Sequence, residues 1–238
     1  LGYSCAGYVL DVHPSVRNIT KGDLVVCFGY EYAHHAEFVS VPQNCVYPIP
    51  KQINIKEAVY APLGAIALHA IRRAQVSFGD HVIVVGIGLI GQIVTQLLKL
   101  QGCRVVGIDP EPAKTELALR RGAEYTVQEK EGYSKKLLRH TRDIGYDAAI
   151  ICTTLKEDIY LNELILTLRS RGRIVAIGDI RATYPFDTLF RKEIDLIVSR
   201  SYGPGRFDHD YERKGLDYPI EHVRWTAGRN IECILDFL

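Results

Sequence analysis

From residue 81 onward the chain alternates between short apolar runs and longer stretches with helical periodicity. Residues 81–85 (His-Val-Ile-Val-Val) form a continuous apolar run, the pattern of a strand buried on both faces. Residues 89–100 have helical spacing; a second apolar run follows at 104–108, then a helical stretch at 111–121 closed by Gly122. The alternation continues with a strand at 147–152, a helix at 161–168 and a strand at 173–177. Such alternation predicts an α/β fold with a parallel sheet covered by helices on both sides.

Residues 1–50 lack that period. Residues 6–12 and 24–28 read as strands, with Lys21-Gly22-Asp23 turning the chain into the second. Residues 38–41 run into Pro42, and Pro48 and Pro50 break any longer strand. The pattern changes near Ile53: residues 56–60 and 63–75 are rich in Ala, Leu and Ile and predict a helix, with Gly79 as its stop signal. Beyond Ser201 the chain reads as irregular until helical spacing returns at Arg229.

Composition narrows the classes. With 47% hydrophobic and 24% charged residues the chain matches an ordinary globular protein. Lys plus Arg total 29 and Asp plus Glu 28, with no block of like charge, so neither nucleic acid nor a membrane is expected as a partner. No apolar run is long enough to span a bilayer. The six cysteines form no C-x-x-C pair, which points to a reducing, cytoplasmic setting. The chain has no Met, opens on Leu1 in a strand-like run and stops at Leu238 inside a helical pattern. The expectation is a piece of a longer protein, with part of its active site elsewhere.

The motif that carries chemistry is Gly86-Ile87-Gly88-Leu89-Ile90-Gly91, a G-x-G-x-x-G placed between a buried strand and a helix. Gly86 permits the tight turn, Gly88 lets backbone approach a pyrophosphate, and Gly91 lets helix and strand pack closely. The helix N-terminus, starting at Leu89 and Ile90, offers N–H groups and partial positive charge to phosphates. Asp109 ends the next strand, 18 residues beyond Gly91. A carboxylate there accepts ribose hydroxyls and repels a 2′-phosphate, and Pro110, Glu111 and Pro112 supply no base, so NAD is the expected cofactor.

Several further patches resemble the medium-chain dehydrogenase/reductase superfamily, which includes alcohol, sorbitol and threonine dehydrogenases. They are Gly79-Asp80-His81-Val82 leading into the glycine-rich turn, Arg120-Arg121-Gly122-Ala123, Lys21-Gly22-Asp23 before a strand, and residues 36–42. The resemblance implies a truncated GroES-like β-barrel catalytic domain at 1–55, a Rossmann domain at 56–204, and a return segment at 205–238 that packs on the catalytic domain. The substrate cleft would lie between them. It also implies that Gly178 meets the nicotinamide amide, that Thr153 lines the adenosine side, that Ser201 contacts the cofactor, and that the protein is a homodimer through the strand near 194–198. Residues 199–206 and 217–225 are similar to bacterial two-part dehydrogenases with a second half of the Gfo/Idh/MocA type.

The departures bear on mechanism. Where zinc-dependent members have Gly-His-Glu, this chain has Gly2-Tyr3-Ser4, and a second ligand position holds Ala61. Of the four-cysteine structural zinc loop only Cys27 remains, so no metal is expected. Without a Lewis acid, a hydrogen-bond donor must stabilise charge on a substrate oxygen. Tyr3 is the first candidate, as a phenol that donates to a developing alkoxide or as a residue that fills the vacated space. Ser4 could orient a substrate, and His35, of the pair His34-His35, could reach the site; on a strand the two would face opposite ways. Arg200 and Arg206 could hold an anionic group. The expected activity is zinc-independent hydride transfer between NAD(H) and a small alcohol or carbonyl substrate. The alternative is a non-catalytic NAD-binding scaffold or redox sensor.

Overall fold

The computed structural model describes residues 2–129 and 131–238. Leu1, with the strand expected there, and Lys130 lie outside the described residues. In chain order the elements are β1 (Ser4–Tyr8), β2 (Leu24–Phe28), β3 (Val46–Pro48), α1 (Ile55–Ala58), α2 (Ala61–Ala74), β4 (His81–Val85), α3 (Leu89–Leu100), β5 (Arg104–Ile108) and α4 (Pro112–Arg121). They continue with β6 (Tyr125–Val127), α5 (Ser134–His140), β7 (Tyr146–Ile151), α6 (Asp158–Thr167), β8 (Leu168–Ala176), α7 (Phe186–Lys192), β9 (Asp195–Val198), α8 (His209–Lys214) and α9 (Ala227–Leu235). The chain divides into two compact units, one of residues Leu1–Ile66 with Arg200–Leu238, the other Ala67–Ser199.

The second unit is an open, wholly parallel six-stranded sheet in the order β6-β5-β4-β7-β8-β9. The chain starts at β4, winds outward to β6, then returns to the other side of β4 and winds to β9, which is the doubly wound Rossmann order. Alternation of side chains splits each apolar run between two faces. Ile83, Val85, Val106, Ile108, Ile151 and Ile174 pack with Tyr133, Leu137, Leu161 and Leu164 on one side. Val82, Val84, Val105, Ile150 and Val175 pack with Ala70, Ile71, Val94 and Leu98 on the other. Both faces are buried, and that is why the strands read as unbroken apolar runs.

The first unit holds a three-stranded antiparallel sheet, β1-β2-β3, in which Ser4 pairs with Phe28 and Cys5 with Cys27. Its first strand is Ser4–Tyr8, earlier and shorter than the expected run at 6–12. The chain returns to this unit through α8 and α9. Gly64 has no room for a side chain because its Cβ would sit 2.8 Å from Ile234 of α9.

Strand β2 ends at Phe28 as expected; Gly29 follows at φ +115, its carbonyl accepts from Tyr32 and Ala33, and His34 and His35 sit exposed on the loop, on no strand. Three expectations need correction. Helix α2 ends at Ala74, one residue before the expected end at Gln75, and the stop is Gln75 itself, left-handed at φ 51, with Gly79 instead shaping the Ser77–Asp80 turn. The helix expected at 161–168 runs Asp158–Thr167, and Leu168 opens β8. The stretch beyond Ser201 contains α8, whose Asp208 N-cap accepts from the Asp210 and Tyr211 N–H groups.

Candidate functional site

The carboxyl ends of β5, β4, β7 and β8 stand side by side, and each carries one of the expected cofactor residues. Gly86 follows β4 at φ +82, and its N–H donates to Ile108 at the end of β5. A Cβ on Gly86 would come within 2.5 Å of Thr153 Cβ, just beyond β7, and one on Gly178, just beyond β8, within 2.0 Å of the Thr153 carbonyl oxygen. A Cβ on Gly91 would lie 2.2 Å from the Gly86 carbonyl oxygen, so this glycine lets α3 start directly over the turn. Gly88 differs. It is the N-cap of α3 at φ −74, with no side-chain cap and nothing within 4 Å of a built Cβ. The N–H groups of Leu89, Ile90 and Gly91, in the first turn of α3, lack intrahelical acceptors. The switch point of the sheet, between β4 and β7, falls at the same place.

Asp109 is more deeply built in than its expected role required. It is 6% exposed. Oδ2 accepts the Ile87 N–H at 2.8 Å, and Oδ1 accepts the Glu111 N–H at 3.0 Å. A carboxylate has about four lone-pair sites, so capacity remains for a ribose hydroxyl. Lys114, which the sequence reading passed over, lies with Nζ 3.8 Å from Asp109 Oδ1 and 2.7 Å from Glu111 Oε2. The hydrogen bond to Glu111, then the charge of Asp109, raises its pKa and holds the ammonium charged. Its spacing from Glu111, one helical turn in α4, was the available signal.

Tyr3, Ser4 and His35 come together. With Gly2, Tyr30, Val59, Tyr60 and Leu63 they line a cavity of about 700 Å³ in the first unit. Strand β1 presents Tyr3 and Ser4 at its start. The Tyr3 carbonyl accepts from Gly29 N–H and from the hydroxyl of Tyr202, each at 3.1 Å. Burial pushes the Tyr202 phenol well up, so it stays protonated to donate. The Tyr3 backbone is thus pinned, and the residue as a whole is 43% exposed. Ser4 Oγ donates to the Val59 carbonyl at 2.5 Å, which leaves its lone pairs for a ligand. The His35 ring lies against Gly2, where any Cβ would come within 2.5 Å of its Cδ2.

Ser201 belongs to the first unit and holds a left-handed φ of 52. Arg206 is buried in an ion pair with Glu212 and is not available to an anion, while Arg200 lies over the Phe207 ring at 5.7 Å. Among the described residues no three His, Cys, Asp or Glu side chains converge as metal ligands. The cavity at Tyr3 offers one imidazole and several hydroxyls, which does not fit a tetrahedral zinc site.

Residues 90–215, more than half of the chain, match the family model described as zinc-binding dehydrogenase. The chain belongs to this family. A quinone oxidoreductase of Rattus norvegicus is 30% identical over 74% of this chain and 54% of its own length. A sorbitol dehydrogenase of Halalkalibacterium halodurans is 25% identical over 79% of this chain and 58% of its own. The chain spans about half the length of these curated relatives. Among solved structures, an alcohol dehydrogenase from Thermus sp. ATN1 has a TM-score of 0.80 at 18% identity, covering 100% of this chain and 72% of its own. Galactitol-1-phosphate dehydrogenase from Escherichia coli has a TM-score of 0.77 at 18% identity, covering 98% and 71%.

Proposed function

We propose that this chain is the dinucleotide-binding and partial catalytic portion of a zinc-independent, NAD(H)-dependent oxidoreductase acting on a small alcohol or carbonyl compound. The observation that carries the reading is the open Gly88 at the start of α3, set beside the buried carboxylate of Asp109. Together they offer helix N–H groups to a pyrophosphate and a carboxylate to a ribose. When bound, the dinucleotide supplies or accepts the hydride. The Tyr3 phenol donates a hydrogen bond to the substrate oxygen as negative charge develops there. Ser4 accepts a substrate hydroxyl, and His35 borders the same cavity. Zinc independence is supported by the poor donor set at Tyr3.

Replacing Tyr3 with Phe is expected to lower kcat about tenfold, the worth of one hydrogen bond made in the transition state, with NADH affinity unchanged. Steady-state NADH oxidation with a panel of small aldehydes and ketones checks this. NADH binding with no turnover on any carbonyl would favour a non-catalytic binding half instead.

We also propose a homodimer formed through β9. It is an edge of the six-stranded sheet and exposes Leu196 and Val198. Sedimentation of the wild type is expected to give twice the monomer mass, and Val198→Lys to shift it toward the monomer.

A further inference from the structure

Helix α3 carries a buried carboxamide among apolar neighbours. Gln92, immediately after the glycine-rich turn, is 8% exposed. Its Nε2 donates to the Lys114 carbonyl at 2.9 Å and, at a longer 3.4 Å, to the Ile87 carbonyl. Its Oε1 is buried and has no hydrogen-bond partner. An orphaned acceptor costs stability, and an apolar side chain of the same length would avoid that cost. Packing alone therefore does not account for glutamine here.

What the amide holds does account for it. The Ile87 residue of the turn is tied at both ends, its N–H to Asp109 and its carbonyl to Gln92. Lys114 sits in the first turns of α4, and its ammonium faces Asp109 and Glu111. One side chain thus joins the phosphate-binding turn to the ribose-binding corner. With α4 held, Lys114 is committed to two carboxylates, and the corner of Asp109, Glu111 and Lys114 remains net negative. With α4 released, the ammonium can turn toward an added phosphate.

We propose that Gln92 is a positioning residue that seats α4 against the glycine-rich turn, setting affinity for the adenosine-ribose half of the cofactor and discrimination against a 2′-phosphate. This rests on the dinucleotide reading of the site. The test uses two variants. Gln92→Met keeps the length but removes the donor and the orphaned acceptor; Gln92→Glu keeps the shape but presents only acceptors to the two carbonyls. NADH, NADPH, ADP-ribose and reduced nicotinamide mononucleotide, which lacks the adenosine half, are titrated into wild type and variants, alongside thermal melting.

In Gln92→Met, ADP-ribose and NADH are expected to bind about three- to tenfold more weakly, the worth of one net hydrogen bond. The loss is larger in Gln92→Glu. The ratio of NADH to NADPH affinity falls in both, the mononucleotide is unaffected, and the Met variant melts no earlier than wild type. Unchanged ADP-ribose affinity and an unchanged NADH to NADPH ratio in both variants would overturn the proposal. So would an equal loss for the mononucleotide. A wild type that binds none of the four probes overturns the dinucleotide reading, and this proposal with it.

Discussion

Gly88→Asp is expected to abolish NADH binding, by a factor of about 1,000 or more, while leaving the protein as stable as wild type or more so. The two halves of that outcome have separate causes. Gly88 has an ordinary negative φ of −74, and a Cβ there meets nothing within 4 Å, so the fold accepts a side chain. Asp is among the best N-cap residues, and the present cap makes no side-chain hydrogen bond, so the substitution adds only about a few tenths of a kcal/mol of stability. The added carboxylate accepts the same N–H groups of the first turn of α3 that a pyrophosphate would use, and its charge repels a phosphate at close range. A loss of several kcal/mol in binding corresponds to the stated factor. Gly88→Ser, a neutral cap, is expected to weaken binding far less. Calorimetric titration and thermal melting of both variants measure the two effects. Undiminished NADH binding in Gly88→Asp would show that the turn does not hold phosphate.

Asp109→Ala combines a stability loss with a change of cofactor preference. The carboxylate accepts the N–H groups of Ile87 and Glu111, and Ile87 is fully buried. Removing it orphans at least one buried donor, at a cost of about 2–4 kcal/mol. Asp109→Asn retains one acceptor oxygen and should lose about half as much. Both remove the negative charge from the corner proposed for the ribose, and Lys114, freed from that partner, would then favour a 2′-phosphate. NADH affinity is expected to fall about a hundredfold in Asp109→Ala and the preference over NADPH to vanish in both variants. Chemical denaturation and paired titrations check the two parts. Stability lost without any change in preference would confine Asp109 to holding the turn.

The parallel sheet was legible because each of its central strands is buried on both faces and therefore reads as one apolar run. The glycine-rich turn was legible for a related reason: glycines at 86, 88 and 91 answer three local needs that do not depend on distant parts of the chain. Short helices were harder. Helices α5, α7 and α8 have six or seven residues each, too few for a period to stand out. The loop at His34 was left open between a turn and an edge strand, because a glycine such as Gly29 signals a turn without saying where the chain goes next. Lys114 and Gln92 escaped for a different reason. Their roles depend on hydrogen bonds and charges between residues up to 22 positions apart, which no local pattern records. Tyr3 was singled out by family resemblance, Ser4 as its neighbour and His35 as one of a histidine pair; the contacts that seat Tyr3 and Ser4, Tyr202 on the one and Val59 on the other, come from segments far along the chain.

The most direct test of the central claim is calorimetric titration of NADH and of NADPH into the wild-type chain. A dinucleotide site built from Gly88, the start of α3 and Asp109 predicts micromolar NADH binding at one site per chain, with NADPH at least about tenfold weaker because of the carboxylate. Tighter binding of NADPH, or no heat from either, would contradict it.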